Sequence, residues 1–341
     1  MEHIAELINK ISPELGEIIE KRYRILKNIL YHQPIGRRLL TNYTHLTERT
    51  LRTEIKKLLD LGLVEVDERG MKLTRAGENL IAEIEEFIFH LKGLNHYAKE
   101  IKNIYNCNCI IVPGDSYSDE SVKREMGKKA AVLLKNLLKG REIVAVTGGS
   151  TMAEIPKGIT KTSGYENVMV VPARGGLGER VEYQANTIAA EIAKKLGAQY
   201  KLLFVPENLR PETLKTIIDE PALSEVISMI KKADILIHGI GIAEEMARRR
   251  GLSQKEIEII KNNGAVAETF GYYFNENGQI VYYTPSAGIS IDEIRNIPTV
   301  ISVAGGQKKA LAIKAFIKFF KPNYLITDEG AAVNLINEEG K

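Results

Sequence analysis

Apolar residues recur at helical spacing through roughly the first hundred residues and then give way to short β-branched runs, so the chain divides by pattern alone. Leu15, Ile18, Ile19, Leu26, Ile29 and Leu30 mark a helix that ends near Gln33-Pro34. After a short segment from Gly36 to Leu40, Thr47 caps a helix to about Leu61. Leu51, Ile55, Leu58 and Leu59 form its inner face, and Gly62 stops it. Leu63 to Val66, a turn at Glu68-Arg69-Gly70, and Met71 to Leu73 read as a small two-stranded wing. Helix, helix, helix, wing is the order of a winged helix-turn-helix.

From near Thr74 one long helix is expected, with Leu80, Ile84, Phe87, Leu91, Leu94, Ala98, Ile101 and Tyr105 at alternating steps of four and three. That spacing is a coiled-coil seam and predicts a dimer. Ile81 and Ile88 widen the stripe, which equally fits a helix packed on its own domain.

Beyond about Asn108, strands are expected at Ile110 to Val112, Ile143 to Val146, Val168 to Val171, Leu202 to Val205, Ile235 to His238, Ala265 to Glu268, Val300 to Val303 and Tyr324 to Ile326. Helical patterns separate most of them, which predicts a mostly parallel sheet covered on both faces. Tyr272 to Phe274 and Gln279 to Tyr283 read as an inserted hairpin.

Composition adds few constraints. The chain has 341 residues, 44% hydrophobic and 27% charged, which suits two ordinary globular domains. No apolar run approaches the roughly 20 residues of a membrane span, and Met1 to Lys10 carries charges where a signal peptide is apolar, so a cytoplasmic location is expected. The only cysteines, Cys107 and Cys109, have no partners at zinc spacing and read as packed residues beside a strand, leaving no metal site expected. Charge is more informative by position: Lys21 to Lys57 holds ten Lys/Arg against Glu48 and Glu54. On the third helix, Arg49, Thr50, Arg52 and Thr53 face outward, where guanidinium and hydroxyl groups reach base edges and phosphates. A winged helix serving protein contacts, with its arginines simply solvated, is the alternative.

The candidate chemistry of the second half centres on Ile143 to Glu154. A strand runs into Thr147-Gly148-Gly149-Ser150-Thr151, and Thr151 and Glu154 stand at capping-box spacing. Such a turn directs backbone N–H groups and a helix dipole at one point, as a phosphate requires. Other polar or glycine-rich turns fall at strand ends: Arg174-Gly175-Gly176, His238 to Gly241, Glu268, and Ala304 to Lys309. In a parallel sheet these converge on one edge, and their cations and turns suit a phosphorylated ligand with hydroxyls. There is no G-x-x-x-x-G-K-[ST] and no G-x-G-x-x-G register, and no nucleophile, base and orienter can be recognised. No catalytic residue and no cofactor is therefore assigned.

Val171 to Glu179, His238-Gly-Ile-Gly241, Ala304-Gly-Gly306 with Lys309, and Leu325 to Ala332 resemble the SorC-type sugar-binding transcriptional regulators over nearly the whole chain. The resemblance implies a DNA-bound repressor of glycolytic genes, a homo-dimer or tetramer whose effector domain is related to sugar-phosphate isomerases and deaminases. It implies fructose 1,6-bisphosphate as the effector. Carried over by position, Gly148, Gly149, Ser150 and Thr151 with Lys309 hold one phosphate, Arg174 serves the other, and Glu268 accepts from sugar hydroxyls. Either Arg249 or Arg250 adds charge. The expected fold is α/β: an N-terminal winged helix-turn-helix joined by a long helix to a mostly parallel, Rossmann-like sugar-phosphate-binding domain. Residues 1–90 hold the DNA-binding module with the start of the linker helix, and residues 91–341 the effector and oligomerisation domain. An active isomerase or deaminase is the alternative. The deaminase G-I-G-x-D-G-H pattern reads Gly239-Ile-Gly-Ile-Ala243-Glu-Glu245 here, so its Asp and His are absent, although Glu244 or Glu245 could substitute.

Overall fold

The computed structural model describes residues 1–176, 180–206 and 211–337, so Leu177, Gly178 and Glu179 of the glycine-rich motif lie outside the described residues. It divides into two compact units, residues 1–97 with 119–121, and the remaining described residues.

The first unit contains α1 (Glu2–Ile11), α2 (Pro13–His32), α3 (Arg37–Thr44), α4 (Glu48–Asp60), the antiparallel pair β1 (Val64–Asp67) and β2 (Gly70–Leu73), and α5 (Arg75–Leu91). Pro13 sits at the start of α2, where its missing N–H costs nothing. Thr47 caps α4 by accepting from the Thr50 N–H at 3.2 Å. The wing is tied back by Ile35, which pairs with Met71 on β2. Gly70 (φ +137) is required there, since a Cβ would lie 2.8 Å from the Ile35 carbonyl. Thr74 caps α5.

The long helix expected from Thr74 to Tyr105 is two helices, α5 and α6 (Leu94–Tyr105), broken at Lys92 and Gly93, where φ is +64. Ile81, Ile88 and Leu91 belong to the core of the first unit, with Leu80, Ile84 and Phe87 packed against it. The apolar stripe of α5 is thus covered by α1 and α2 and is no free seam. The alternating steps arise because a helix sandwiched between neighbours needs a broad apolar face, and a broad face contains the narrower heptad pattern.

In the second unit, β3 (Asn108–Val112), β4 (Ile143–Val146), β5 (Met169–Pro172), β6 (Gln199–Tyr200), β7 (Ile235–His238), β12 (Thr299–Val303) and β13 (Tyr324–Asp328) form one parallel sheet in the order β3-β13-β12-β7-β4-β5-β6. Helices such as Glu120–Leu137 and Ala185–Leu196 bring Met126, Leu134, Ile188 and Ile192 onto it. β8 (Gly241–Ile242), β9 (Ala265–Thr269), β10 (Tyr272–Asn275) and β11 (Ile280–Tyr283) form a second, antiparallel sheet in the order β11-β10-β9-β8.

Two strand expectations change. Ala265 to Glu268 is a strand, but of this second sheet. Leu202 to Val205 is not a strand: Leu203 and Val205 are buried, but their backbones bond the Asn186 side chain and the Gly176 N–H instead of a ladder. An apolar run reports burial, and burial alone does not distinguish strand from irregular backbone.

Candidate functional site

The chain passes from β4 outward to β5 and β6 and returns to β7 on the other side of β4, so the connections diverge between β4 and β7. At such a switch point a crevice opens beyond the carboxyl ends of the strands. A cleft of about 820 Å³, counted out to its mouth, lies there. It is lined by Thr147 to Met152 after β4, Arg174 and Gly175 after β5, Gly239 to Gly241 after β7, Arg249 and Arg250, Glu268 to Phe270, and Lys309. All eight residues assigned to the effector, Gly148, Gly149, Ser150, Thr151, Arg174, Arg250, Glu268 and Lys309, meet in this one cleft.

The turn after β4 is built differently from the expected capping box. Thr151 is already helical (φ −72, ψ −38) and makes no cap bond, and Glu154 pairs with Lys157 at 2.7 Å. A single 3-10 turn, Met152–Glu154, leads into the short helix Ile155–Gly158, whose first turn admits Pro156. Gly148 serves the backbone beside it: a Cβ there would lie 2.5 Å from the Tyr183 carbonyl oxygen. That same oxygen accepts the Gly149 N–H at 2.8 Å. The two glycines therefore also seat the segment Tyr183 to Ala185 against the cleft.

Two groups of cations line the cleft. Arg174 and Arg250 converge on Glu268, whose Oε1 accepts from Arg250 Nη2 at 2.8 Å and from the Gly271 N–H at 2.6 Å and lies 3.6 Å from Arg174 Nη1. Glu268 is thus committed to two arginines and an amide, in addition to facing the cleft. Arg250, rather than Arg249, enters this buried cluster; Arg249 is exposed, with Nη1 3.5 Å from Met246 Sδ. The other group is Lys309, half-buried beyond Gly306. Burial, with Lys123 and Arg249 nearby, lowers its pKa against the opposing pull of Glu245 and Asp328. A partly desolvated cation held among other cations gains from an incoming anion.

His238 is a core residue. Its Nε2 bonds Ser302 Oγ at 2.8 Å, its ring packs on Phe270 and Phe316, and burial lowers its pKa to about 4. Burial likewise raises the Cys107 thiol to about 11 and Cys109 well above its ordinary value, so both stay protonated and packed. Among the described residues no cluster of three His, Cys, Asp or Glu is placed to hold a metal ion, and no helix is long and apolar enough to cross a membrane.

On the first unit, α4 buries Leu51, Ile55 and Leu58 and exposes Arg49, Arg52 and Thr53, with Thr50 half-buried. The exposed Arg52 and Glu48 approach to 3.4 Å, a weak surface pair. Part of the basic excess is used internally. Buried Glu54 accepts from Arg22 Nε at 2.9 Å, with Lys21 and Lys57 each 3.5 Å away. Burial alone would raise its pKa, but Arg22, Lys21 and Lys57 outweigh that and hold it below the ordinary carboxylate value. Lys21 and Arg22 thereby pin α2 to α4 and Lys57 pairs with Glu54 within α4, leaving fewer cations for a partner than the sequence count suggests.

A basic helix backed by a wing and a cation-lined cleft at a sheet switch point agree with what known proteins show. Residues 18–88 match the CggR N-terminal DNA-binding domain, and residues 90–337 match the Sugar-bind family of sugar-binding domains. The chain belongs to the SorC-type family of sugar-binding transcriptional regulators. It is 43% identical over 340 residues to the central glycolytic genes regulator of Priestia megaterium, covering 99% of each chain. Against the regulator of the same name from Bacillus subtilis, identity is 42% over 99% of this chain and 100% of the other. A SorC family transcriptional regulator from Enterococcus faecalis, solved as a crystal structure, superposes with a TM-score of 0.66 at 40% identity, over 71% of this chain and 99% of that one.

As a SorC-type regulator the protein is a sugar-responsive transcriptional regulator, of a family that reads DNA and does not catalyse. Ala243 and Glu245 stand where the Asp and His of the related deaminases fall, so that Asp and His pair is missing from the helix that opens at Ala243. Tyr183, Gln184, Met246 and Phe270 also line the cleft, unmarked by the sequence. None stands in a motif, and the one available signal was the paired Gly148 and Gly149, which demand a close backbone neighbour without naming it.

Proposed function

We propose that this regulator is a cytoplasmic repressor of glycolytic genes whose operator binding is weakened by fructose 1,6-bisphosphate. Residues 1–90 carry the DNA-reading module, with Arg49, Thr50, Arg52 and Thr53 on the groove-facing side of α4, and residues 91–341 carry the effector cleft. The observation that supports this most directly is the set of cations in one cleft that also holds the Thr147 to Met152 turn: Lys309, and Arg174 with Arg250 around Glu268. A ligand with phosphates at both ends suits such a cleft, and the names of the relatives point to glycolysis as its source. The protein acts as a homo-oligomer on paired half-sites, as winged-helix readers do.

Shifting a two-state population from about 1:99 to about 99:1 takes about 5.5 kcal/mol of differential affinity. Two charge-assisted phosphate clamps supply energy on that scale, and one sugar hydroxyl does not. Fructose 1,6-bisphosphate is therefore expected to release the protein from operator DNA, whereas fructose 6-phosphate binds and stabilises without releasing it. Titration of both sugars against the protein on operator DNA tests this, and equal release by the two would reject the two-clamp reading.

A further inference from the structure

Glu268 is the centre of an ion cluster in which every partner is fixed from elsewhere. The Arg174, Arg250 and Glu268 side chains are only 6%, 4% and 3% exposed. Arg174 follows β5, and its backbone is clasped by the Ala287 to Ile289 segment: the Gly175 N–H donates to the Ala287 carbonyl at 3.1 Å, and the Ile289 N–H to the Ala173 carbonyl at 2.9 Å. Its guanidinium lies against Gly271 (φ +83), where a Cβ would come within 2.5 Å of Nη2. Arg250 closes the helix Ala243–Arg249, with its N–H on the Met246 carbonyl at 2.9 Å. Glu268 comes from the other sheet, on β9.

Two guanidinium groups held this close and this deeply need a counter-ion. A carboxylate and a phosphate meet that need in the same way, with anionic oxygens that accept from the planar forks. We propose that Glu268 is the resident counter-ion of the cleft, holding on the Arg174–Arg250 pair the place that an effector phosphate takes, so that ligand binding at this end is an exchange of anions. The proposal rests on the sugar-phosphate reading of the cleft, and it gives Glu268 a role in specificity. A ligand carboxylate offers the arginines no more than Glu268 does. A phosphate dianion brings more charge, and a ligand also held at Lys309 brings a second point of attachment to drive the exchange. This differs from a Glu268 that accepts hydrogen bonds from sugar hydroxyls, because the two roles predict opposite responses to neutralising the carboxylate.

The test uses the full-length protein and its Glu268→Gln variant, nearly identical in shape, titrated calorimetrically with inorganic phosphate and with fructose 1,6-bisphosphate. Anion exchange predicts that the variant binds inorganic phosphate about tenfold tighter or more, the low end of coupling between close desolvated charges, and binds the bisphosphate no more weakly than the parent. Unchanged or weaker phosphate binding overturns the proposal, as does a loss confined to the sugar ligand. If the variant is destabilised, phosphate should raise its melting temperature by more than it raises that of the parent, and an equal or smaller rise overturns the proposal. Failure of fructose 1,6-bisphosphate to release operator DNA would count against the effector assignment alone, because the inorganic phosphate comparison does not depend on it.

Discussion

The Gly239 N–H donates to Thr147 Oγ1 at 3.2 Å, joining the turn after β7 to the turn after β4 at the point where the connections between strands diverge. The Thr147 N–H in turn donates to the Ile237 carbonyl at 3.1 Å, so one residue holds the floor of the cleft through both backbone and side chain. Thr147→Val keeps the shape and removes the acceptor, which is expected to cost about 1 kcal/mol. It should also loosen sugar-phosphate binding by more than it lowers stability, because both turns line the cleft. Thermal unfolding with and without ligand measures the two effects, and an unchanged ligand-induced shift would show that this bond does not organise the site.

Arg49→Ala and Arg52→Ala are each expected to weaken operator binding by about 1 to 3 kcal/mol and to relax specificity at one base position. Lys57→Ala should do less, since Lys57 already lies 3.5 Å from buried Glu54. Binding isotherms on operator and random DNA over a salt series separate these cases. Parent-like binding by both arginine variants would move the reading surface off α4.

Leu91→Glu is expected to unfold the first unit rather than to separate subunits. Leu91 is 7% exposed, and its carbonyl accepts from Asn9 Nδ2 at 2.8 Å, so a carboxylate there would be buried without a partner, at about 3 kcal/mol or more. Differential scanning calorimetry with sedimentation velocity distinguishes the outcomes. Normal melting combined with a smaller particle would restore the coiled-coil seam.

Lys309 should take up a proton when ligand binds at alkaline pH. Its pKa is lowered in the folded protein, so its charged form is lost earlier than that of an ordinary lysine as pH rises. A phosphate beside it favours the charged form and reverses the shift. Calorimetry in buffers of different ionisation enthalpy reads the proton count, and Lys309→Ala should abolish both the uptake and the response on operator DNA.

His238 makes stability fall in acid. Its pKa drops from 6.5 to about 4 on burial, so between those values the unfolded chain binds a proton that the folded protein excludes. Its contribution is complete above pH 6.5 and is lost as pH falls toward 4, amounting to about 2 kcal/mol between pH 7 and 5. Denaturant titrations at the two pH values should show this slope, and His238→Gln should remove this part of it.

Local pattern alone determined most of the elements of this protein, because capping, turns and helical periodicity are settled by neighbours in the chain. Thr47 opens α4, Thr74 opens α5, the wing turns at Gly70, and six of the eight expected strands lie in the parallel sheet. Arg49, Arg52 and Thr53 were legible as outward-facing from the spacing of Leu51, Ile55 and Leu58. The tertiary structure decided what each group is spent on, since that depends on partners far away in sequence. It turned the α5 stripe inward because α1 and α2 cover it, and it diverted Lys21, Arg22 and Lys57 to Glu54. It set Gly148 against the Tyr183 carbonyl, and it brought Glu268 from a second sheet onto Arg174 and Arg250. Buried charges and close backbone approaches are satisfied by whatever the fold places beside them, and sequence spacing carries no record of that neighbour.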